Sequence, residues 1–478
     1  LIEVVWKIEV EVLKFGGSIL ENYGDFEKAA DIVANELEQS RVPICVVSAM
    51  KGVTDRIIKA LNSSGSEGDI RPLMWDLSSW HMSAAPPEGD PSELSGELEK
   101  LEHVISYINS SGELNDSVYA YAVSRGENFS SRILSQHLRV RGVESSCFYG
   151  EELLVTDDNL SDASVDLEKT CERVEKTFIP CLEAGTVPIV AGFSGRSSEG
   201  RVTILGRGGS DDTAACLGYC LKARRVVKYT DTDGVMTLDP KFMEVMRRDP
   251  DTRNILGDAP PPRVVPYLTY VEASELLREE RTKVAHYKVL NPLIGREIRF
   301  QIKNVLRPED AGTIIGPEEG NHVENSLGRP KVISFQRNLY GLKFLPTQSL
   351  TPTEVYARVF EALSREGVDV RYMSTSGYQV SFLMPKADAD RALKTLMGLD
   401  AVMEATPLEG RKGTFSLIGS GMRGVRGLFS RVTGSIARSG VNIEQVTQPN
   451  SENIIRFAVD DAEIPRAVAA LYTEFFGS

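Results

Sequence analysis

Gly206-Arg207-Gly208-Gly209-Ser210-Asp211-Asp212-Thr213 lies between an apolar run, Val202 to Leu205, and a helical pattern, Thr213 to Lys222. Three glycines let the backbone curl closely around a ligand, and a helix opening just after them aims unpaired N–H groups at an anion. Arg207, Ser210 and Asp211 add a fork for a carboxylate or phosphate, a small donor and a countercharge within the same turn. One such turn is as often an ordinary strand-to-helix connection as a site. A second one changes the balance. Lys14-Phe15-Gly16-Gly17-Ser18 closes the alternating strand Ile8 to Leu13 and precedes a helical pattern beginning near Asp25. Lys14 then stands at a strand's C-terminal end, where open α/β sheets hold their ligands, as a mobile point charge suited to a phosphoryl group in transfer. No G-x-x-x-x-G-K-[ST] stretch occurs, so the Walker arrangement is excluded.

With 478 residues the chain is too long for one hydrophobic core, and two or three domains are expected. Hydrophobic residues make up 41% and no apolar run reaches the ~18 residues of a membrane span, so a soluble, cytoplasmic protein is expected. The opening Leu1-Ile2-Glu3-Val4-Val5-Trp6 lacks a basic flank and a small-residue cleavage site, and no export signal is expected from it. The net charge of −14 argues against nucleic-acid and anionic-membrane partners and requires an anion site to gather its cations locally. Six cysteines, Cys45, Cys147, Cys171, Cys181, Cys216 and Cys220, form no C-x-x-C pair and read as reduced core residues. Without paired histidines beside Cys216 and Cys220, no zinc site is expected.

From Lys7 to about Ile315, strand-like runs alternate with helical patterns: Ile44–Val47, Val187–Ala191, Val202–Leu205, Val226–Tyr229 and Ile298–Ile302 against helices near 25–40, 120–141, 165–184, 213–223 and 271–285. Such alternation predicts an α/β layer fold with a largely parallel sheet. Residues 62–116 break the rhythm as a helical insertion with a loop at Ala84–Ser92. Beyond a polar stretch, Glu318 to Arg329, two similar blocks follow. The first reads as strand Leu339–Leu345, helix Pro352–Glu366, strands Val368–Ser374 and Tyr378–Met384, and helix Ala387–Met397. The second reads as strand Thr414–Ile418, helix Val425–Ser439, strands Val441–Thr447 and Asn453–Val459, and helix Ile464–Phe475. Both fit one repeated β-α-β-β-α module. Inside the second block Gly419-Ser420-Gly421-Met422-Arg423-Gly424, with Glu444 downstream, imitates a dinucleotide fingerprint. Too little chain follows it for a doubly wound sheet, so nicotinamide binding is not expected.

With these pieces in place, the chain resembles the aspartate kinases of the amino-acid kinase superfamily over essentially its whole length. The matching segments are KFGGS at 14–18, VVSAMKGVTD at 46–55, SRGE at 124–127, AGFSG at 191–195, GRGGSDDTA at 206–214, YTDTDGV at 229–235, IKN at 302–304 and GTII at 312–315. The C-terminal blocks resemble paired ACT domains, which bind amino acids and join subunits. The resemblance implies a three-layer α/β/α catalytic domain over 1–316 with a mainly parallel sheet, and two α+β, ferredoxin-like ACT modules over 331–400 and 410–478. It implies transfer of the γ-phosphate of ATP to the β-carboxylate of L-aspartate, with Mg²⁺ carried on the nucleotide near Asp211 and no resident metal. Lys14 would contact the transferring phosphoryl, with Gly16, Gly17 and Ser18 around it, and Asp211 would orient Lys14. Arg207 would grip the α-carboxylate of aspartate and Glu127 its α-ammonium; Ser48, Thr54, Phe193 and Ser210 would complete the pocket. Thr230, Asp231 and Asp233 would hold the nucleotide, with Lys241 and Lys283 near its phosphates. Asn442 and Gln448 would belong to an amino-acid effector site, and ACT pairing implies a homodimer or larger assembly.

The chain departs from the family pattern at several points. Ser18-Ile19 replace Thr-Ser in the first glycine loop, Lys241 replaces an arginine, and Thr282-Lys283-Val284-Ala285-His286-Tyr287 keeps the lysine and histidine of its motif but not the proline. Arg371 and Gly377 stand where lysine-inhibited members carry carboxylates, so lysine feedback is not expected. Two other functions compete with aspartate phosphorylation: phosphorylation of a different small acceptor on the same fold, and a non-catalytic amino-acid sensor. Lys14, Glu127, Arg207 and Asp211 together argue against the sensor. A fused homoserine dehydrogenase is not expected, since the chain stops just after the second module.

Overall fold

The computed structural model describes residues 9–63, 71–279, 284–318, 328–376 and 379–477. They divide between two compact units, Leu1–Val235 with Pro266–Tyr270 and Thr282–Pro317, and Met236–Val265 with Val271–Arg281 and Glu318–Ser478. Residues 236–265 and 271–281, which the expected catalytic span 1–316 contains, thus group with the C-terminal modules.

The first unit is built on an eight-stranded sheet. Its strands are β1 (Val10–Phe15), β2 (Val42–Val47), β3 (Ser145–Tyr149), β5 (Val187–Ala191), β8 (Arg225–Thr230), β9 (Tyr267–Thr269), β10 (Arg299–Asn304) and β11 (Thr313–Gly316). The order is β3-β5-β2-β1-β8-β10-β11-β9, and β10 with β11 is its antiparallel pair. A separate three-stranded sheet joins β4 (Val155–Thr156), β6 (Ser194–Ser197) and β7 (Val202–Ile204). All six residues of β1 are buried, as they must be in a parallel sheet covered on both faces. Helices α1 (Tyr23–Glu38) and α6 (Arg125–Val140) pack together on the sheet, as do α7 (Leu167–Glu183) and α8 (Gly209–Cys220). The chain leaves β1 for β2 on one side and reaches β8 on the other, so the topological switch point lies between β1 and β8, where open sheets bind ligands.

The insertion is helical: α2 (Val53–Ser63), α3 (Arg71–Ala84), α4 (Pro91–Ser111) and α5 (Asp116–Val123). Pro91 opens α4 and the Asp90 carboxylate caps it by accepting from Ser92 N–H. Leu77, Leu94, Leu101 and Ile105 are buried in the same core as Leu13, Phe26 and Phe129, and His137 Nε2 lies 2.9 Å from the Ala84 carbonyl. Contrary to the expectation of six reduced cysteines, Cys171 and Cys220 form a disulfide, with their Cα atoms 4.6 Å apart. The pairing arises because α7 and α8 lie side by side, a juxtaposition hidden by a sequence separation of 49. Cys45, Cys147, Cys181 and Cys216 are free.

The second unit carries a six-stranded antiparallel sheet. Its strands are β12 (Val332–Pro346), β13 (Tyr372–Thr375), β14 (Val380–Met384), β15 (Val402–Ile418), β16 (Gln445–Thr447) and β17 (Ile454–Asp460), in the order β13-β14-β12-β15-β17-β16. Two of them, β12 and β15, are far longer than expected, and each serves both modules. Tyr340–Phe344 of β12 pairs with β14, while Val332–Gln336 pairs with β15, whose Lys412–Ile418 also pairs with β17. Register shifts between Gln336 and Leu339 and between Tyr340 and Leu342 interrupt the β12–β15 ladder where the two halves meet. The outer strands β13 and β16 are shorter than expected. One core gathers Phe344, Val359, Leu363 and Phe382; the other gathers Phe415, Phe457, Ile436 and Leu471 with Leu238 and Phe242. The dinucleotide look-alike is disarmed by its geometry. Ser420–Met422 is a single 3₁₀ turn, the helix starts only at Leu428, and Glu444 accepts from Lys412 Nζ at 2.6 Å.

Candidate active site

At the switch point Lys14 of β1 and Lys228 of β8 are register partners on adjacent parallel strands, so their side chains rise from one face of the sheet. Both reach Asp211, in the first turn of α8. Lys228 Nζ donates to Asp211 Oδ2 at 2.6 Å, and Lys14 Nζ lies 2.7 Å from Oδ1. All three side chains are buried. Burial alone would push the Asp211 carboxyl up, but Lys14 and then Lys228 outweigh it and hold the group at about 2. The ammonium of Lys228 is itself pulled down, first by burial, with the carboxylate of Asp211 opposing.

The two glycine turns flank this cluster. Gly208 has φ +83° as the residue before α8, and a Cβ there would stand 2.6 Å from His286 Cβ. At the other turn a Cβ on Gly17 would stand 2.7 Å from the Ala49 carbonyl, so only glycine lets β1's loop lie against the loop after β2. Gly16 has ordinary extended backbone, Ser18 is exposed, and Ser48 N–H donates to Phe15 O at 3.1 Å. Arg207 is exposed at the tip of its turn, and Ser210 is buried against Gly192. Phe193 adopts φ +76°, a conformation costly for a side chain with a Cβ. Its N–H donates to Thr213 Oγ1 at 3.1 Å and its carbonyl accepts from Leu205 N–H at 2.9 Å, which clamps it to both ends of the GRGGS turn.

Glu127 sits in the first turn of α6, 4% exposed, with Oε2 lacking a hydrogen-bond partner among the described residues. Burial pushes its carboxyl up to about 8, although the backbone N–H groups of Ala49 and Glu127 and the charges of Arg125 and Lys14 act the other way. A Cβ on neighbouring Gly126 would lie 2.8 Å from Ala49 Cβ and 3.8 Å from Thr54 Oγ1, so the start of α6 lies against the Ala49 loop and Thr54. Arg125, by contrast, is spent on Glu151 inside the protein. Asp212, next to Asp211, has its carboxyl pushed up to about 7, first by burial and then by Asp211.

On the other side of Lys228, Thr230 is buried and donates to Asp231 Oδ1 at 3.1 Å. Asp233 accepts from Asn304 Nδ2 at 2.7 Å and pairs with Arg307, and these two partners hold its carboxyl below the usual range. It thus ties the turn to β10, with Val235 N–H donating to Thr313 Oγ1 at 2.8 Å. Lys241 is exposed, belongs to the second unit, and starts a helix whose cap, Asp239, accepts its N–H at 2.8 Å. Lys283 and Gly377 lie outside the described residues. In the second module Asn442 and Gln448 are exposed, and Asn442 N–H donates to Glu463 at 3.3 Å. The structure therefore brings together Lys14, Gly17, Ser48, Thr54, Glu127, Phe193, Ser210 and Asp211, and it adds Lys228, which sequence reasoning missed. A signal for it existed: Leu13-Lys14-Phe15 and Val227-Lys228-Tyr229 are one apolar–lysine–aromatic pattern on two strands, and the Phe15 and Tyr229 rings stack at 5.3 Å.

Known proteins share this architecture. Residues 9–248 match the amino acid kinase family, and residues 351–397 and 415–475 match an ACT domain. Aspartokinase 1, chloroplastic, of Arabidopsis thaliana is 30% identical over 98% of this chain and 80% of its own length. This chain belongs to the aspartokinases of the amino acid kinase family. Lysine-sensitive aspartokinase 3 of Escherichia coli is 26% identical over 98% of this aspartokinase and 99% of its own length. In fold, this aspartokinase is similar to E. coli aspartokinase III in complex with aspartate and ADP, with a TM-score of 0.79 and 24% identity over 98% of this chain and 100% of that one. No helix among the described residues is long and apolar enough to cross a membrane.

Proposed function

We propose that this aspartokinase transfers the γ-phosphate of ATP to the β-carboxylate of L-aspartate, giving 4-phospho-L-aspartate, the step that opens lysine, threonine and methionine biosynthesis. The observation that carries this is the buried Lys14–Asp211–Lys228 cluster, at a topological switch point, between two glycine turns and beside the buried Glu127. A β-carboxylate oxygen of aspartate forms the new bond to the γ-phosphorus, the bond from that phosphorus to the β–γ bridging oxygen breaks, and ADP leaves with the electron pair. The nucleophile is already ionised, so no general base is required, and the protein's task is alignment and charge neutralisation. Lys14 neutralises the phosphoryl group in transfer, and Gly17 lets the backbone approach it. Arg207 takes the α-carboxylate and Glu127 the α-ammonium, one group of each sign for the two charges of an amino acid. Ser48, Thr54, Phe193 and Ser210 shape the acceptor pocket; Thr230 and Asp231 face the nucleotide, and Asp233 fixes their turn.

Mg²⁺ belongs here as part of the substrate MgATP, which coordinates through phosphates with one or two carboxylates. Asp211 and Asp212 are adjacent on α8, and Asp212 Oδ1 is buried without a hydrogen-bond partner among the described residues, a chemistry that fits a phosphate-borne cation. The domain spans 1–316, 331–400 and 410–478, a homodimer, a cytoplasmic setting and an amino-acid effector at Asn442 and Gln448 complete the proposal. Lysine is disfavoured as that effector by Arg371, a half-buried cation paired with Asp369 at 2.7 Å. Acyl-phosphate formation trapped with hydroxylamine, across a panel of amino acids with MgATP, is the test. Hydroxamate with L-aspartate is expected; hydroxamate with a different acceptor alone would move the substrate, and none from folded, ATP-binding protein would return the sensor reading.

A further inference from the structure

Lys228 is not needed to satisfy Lys14, nor Lys14 to satisfy Lys228; a single carboxylate serves both. Asp211 Oδ2 accepts the hydrogen bond from Lys228, whereas Oδ1 faces Lys14 at 2.7 Å without hydrogen-bond alignment. Two ammonium groups against one carboxylate leave a surplus of one positive charge, with all three groups less than a tenth exposed. Neighbouring groups do not cancel it. Lys288 and Asp162 pair with each other at 2.7 Å, Arg207 adds only positive charge, and His286 is drawn toward its neutral form, first by burial. Glu127 is drawn toward its uncharged form, first by burial, and the Asp212 carboxylate is the one assigned above to the phosphate-borne cation. An uncompensated buried charge is costly unless an anion joins it.

We propose that Lys228 is a positioning residue for phosphoryl transfer: by occupying Asp211 it leaves the charge of Lys14 uncancelled, and that surplus is the seat of the γ-phosphoryl group. This rests on the kinase function proposed above. A lone Lys14–Asp211 pair would be neutral and would hold the ammonium on the carboxylate; with Lys228 present, Asp211 aims Lys14 without quenching it. The β-phosphate end of the nucleotide gains little from this arrangement, so the device discriminates triphosphate from diphosphate and favours release of ADP after transfer.

The test compares wild type, K228M and K228R in the full chain, by binding of ADP and of AMPPNP and by steady-state hydroxamate formation. K228M removes the charge at nearly constant volume. It should bind AMPPNP about tenfold more weakly and ADP within about threefold of wild type, lose about a hundredfold in kcat, and keep KM for aspartate within about threefold. K228R should recover most of kcat. Equal losses of ADP and AMPPNP affinity would reveal a merely structural lysine, and wild-type kcat and AMPPNP affinity in K228M would refute the assignment outright. If K228M does not fold, the double variant D211N/K228M restores one surplus charge. It should then keep the wild-type preference for AMPPNP over ADP, and loss of that preference would overturn the proposal. Failure of wild type to make hydroxamate from aspartate would count against the acceptor alone, since the nucleotide comparison does not depend on it.

Discussion

Glu127→Gln separates the role of Glu127 from that of an ordinary buried acid. Its carboxyl is held at about 8 against an ordinary 4.5, so ligand-free protein carries it protonated at neutral pH. An ammonium group that needs the anion must first expel that proton, which weakens binding by a factor of 1 + 10^(8−pH). Affinity for aspartate should therefore rise roughly fiftyfold between pH 6 and pH 8, with a proton released on binding. The amide cannot ionise, so its affinity should be nearly flat with pH. At pH 8 it should also be about 10- to 150-fold weaker, the ~1.5–3 kcal/mol of a hydrogen bond to a charged group. Stability moves the opposite way. A carboxyl whose folded pKa is raised stabilises the fold fully below 4.5 and loses that contribution as pH rises to about 8, an upper limit of roughly 5 kcal/mol. Ligand-free E127Q should then be at least as stable as wild type at pH 8. Isothermal titration with aspartate from pH 6 to 8 and thermal melts at pH 8 decide it. Unchanged aspartate affinity, or the same pH slope in both proteins, would refute the assignment of Glu127 to the ammonium.

Four further outcomes follow from the geometry and electrostatics of the protein. Lys14→Ala should cut kcat by about a thousandfold yet melt close to wild type, because Asp211 keeps Lys228. Asp211→Ala should also unfold more easily, by about 3–5 kcal/mol, because it strands two buried ammonium groups; equal melting temperatures would contradict the shared carboxylate. Arg207→Ala should raise KM for aspartate about tenfold or more while ATP affinity and melting temperature stay put, since Arg207 is exposed; an effect on ATP alone would reassign it. Burial holds the His81 imidazole down at about 4 from an ordinary 6.5. Its contribution to stability is lost as pH falls through that window, up to roughly 3 kcal/mol, and denaturant titrations of His81→Leu should show a shallower acid slope than wild type.

Much of the site was legible because its chemistry is local. Each glycine turn joins a strand to a helix within a few residues, so Lys14, Gly17, Ser210 and Asp211 could be picked out before their proximity was known. The structure supplied the proximity, through the parallel pairing of β1 with β8 and the packing of α8. Lys228 was illegible alone because one lysine in an apolar strand reads as an edge or end residue; only strand order makes it a partner of Lys14. The disulfide was hidden for the same reason, since it depends on which helices adjoin. In the second unit the paired modules followed from hydrophobic periodicity, but the length of β12 and β15 did not. Gln336-Arg337-Asn338 and Glu409-Gly410-Arg411 are polar interruptions that read as turns, whereas the ladder lapses at Arg337-Asn338 and Glu409-Gly410 and resumes on either side.

Phosphoryl transfer to aspartate requires that a β-carboxylate oxygen become bonded to the γ-phosphorus. Aspartate labelled with ¹⁸O in its β-carboxylate, turned over with MgATP and hydroxylamine, tests this directly. Hydroxylamine attacks the acyl carbon and phosphate departs with the oxygen that bridged carbon and phosphorus. The prediction is phosphate carrying one ¹⁸O, read by the isotope shift of its ³¹P resonance. Unlabelled phosphate released at the same rate would mean that water, not aspartate, accepts the phosphoryl group.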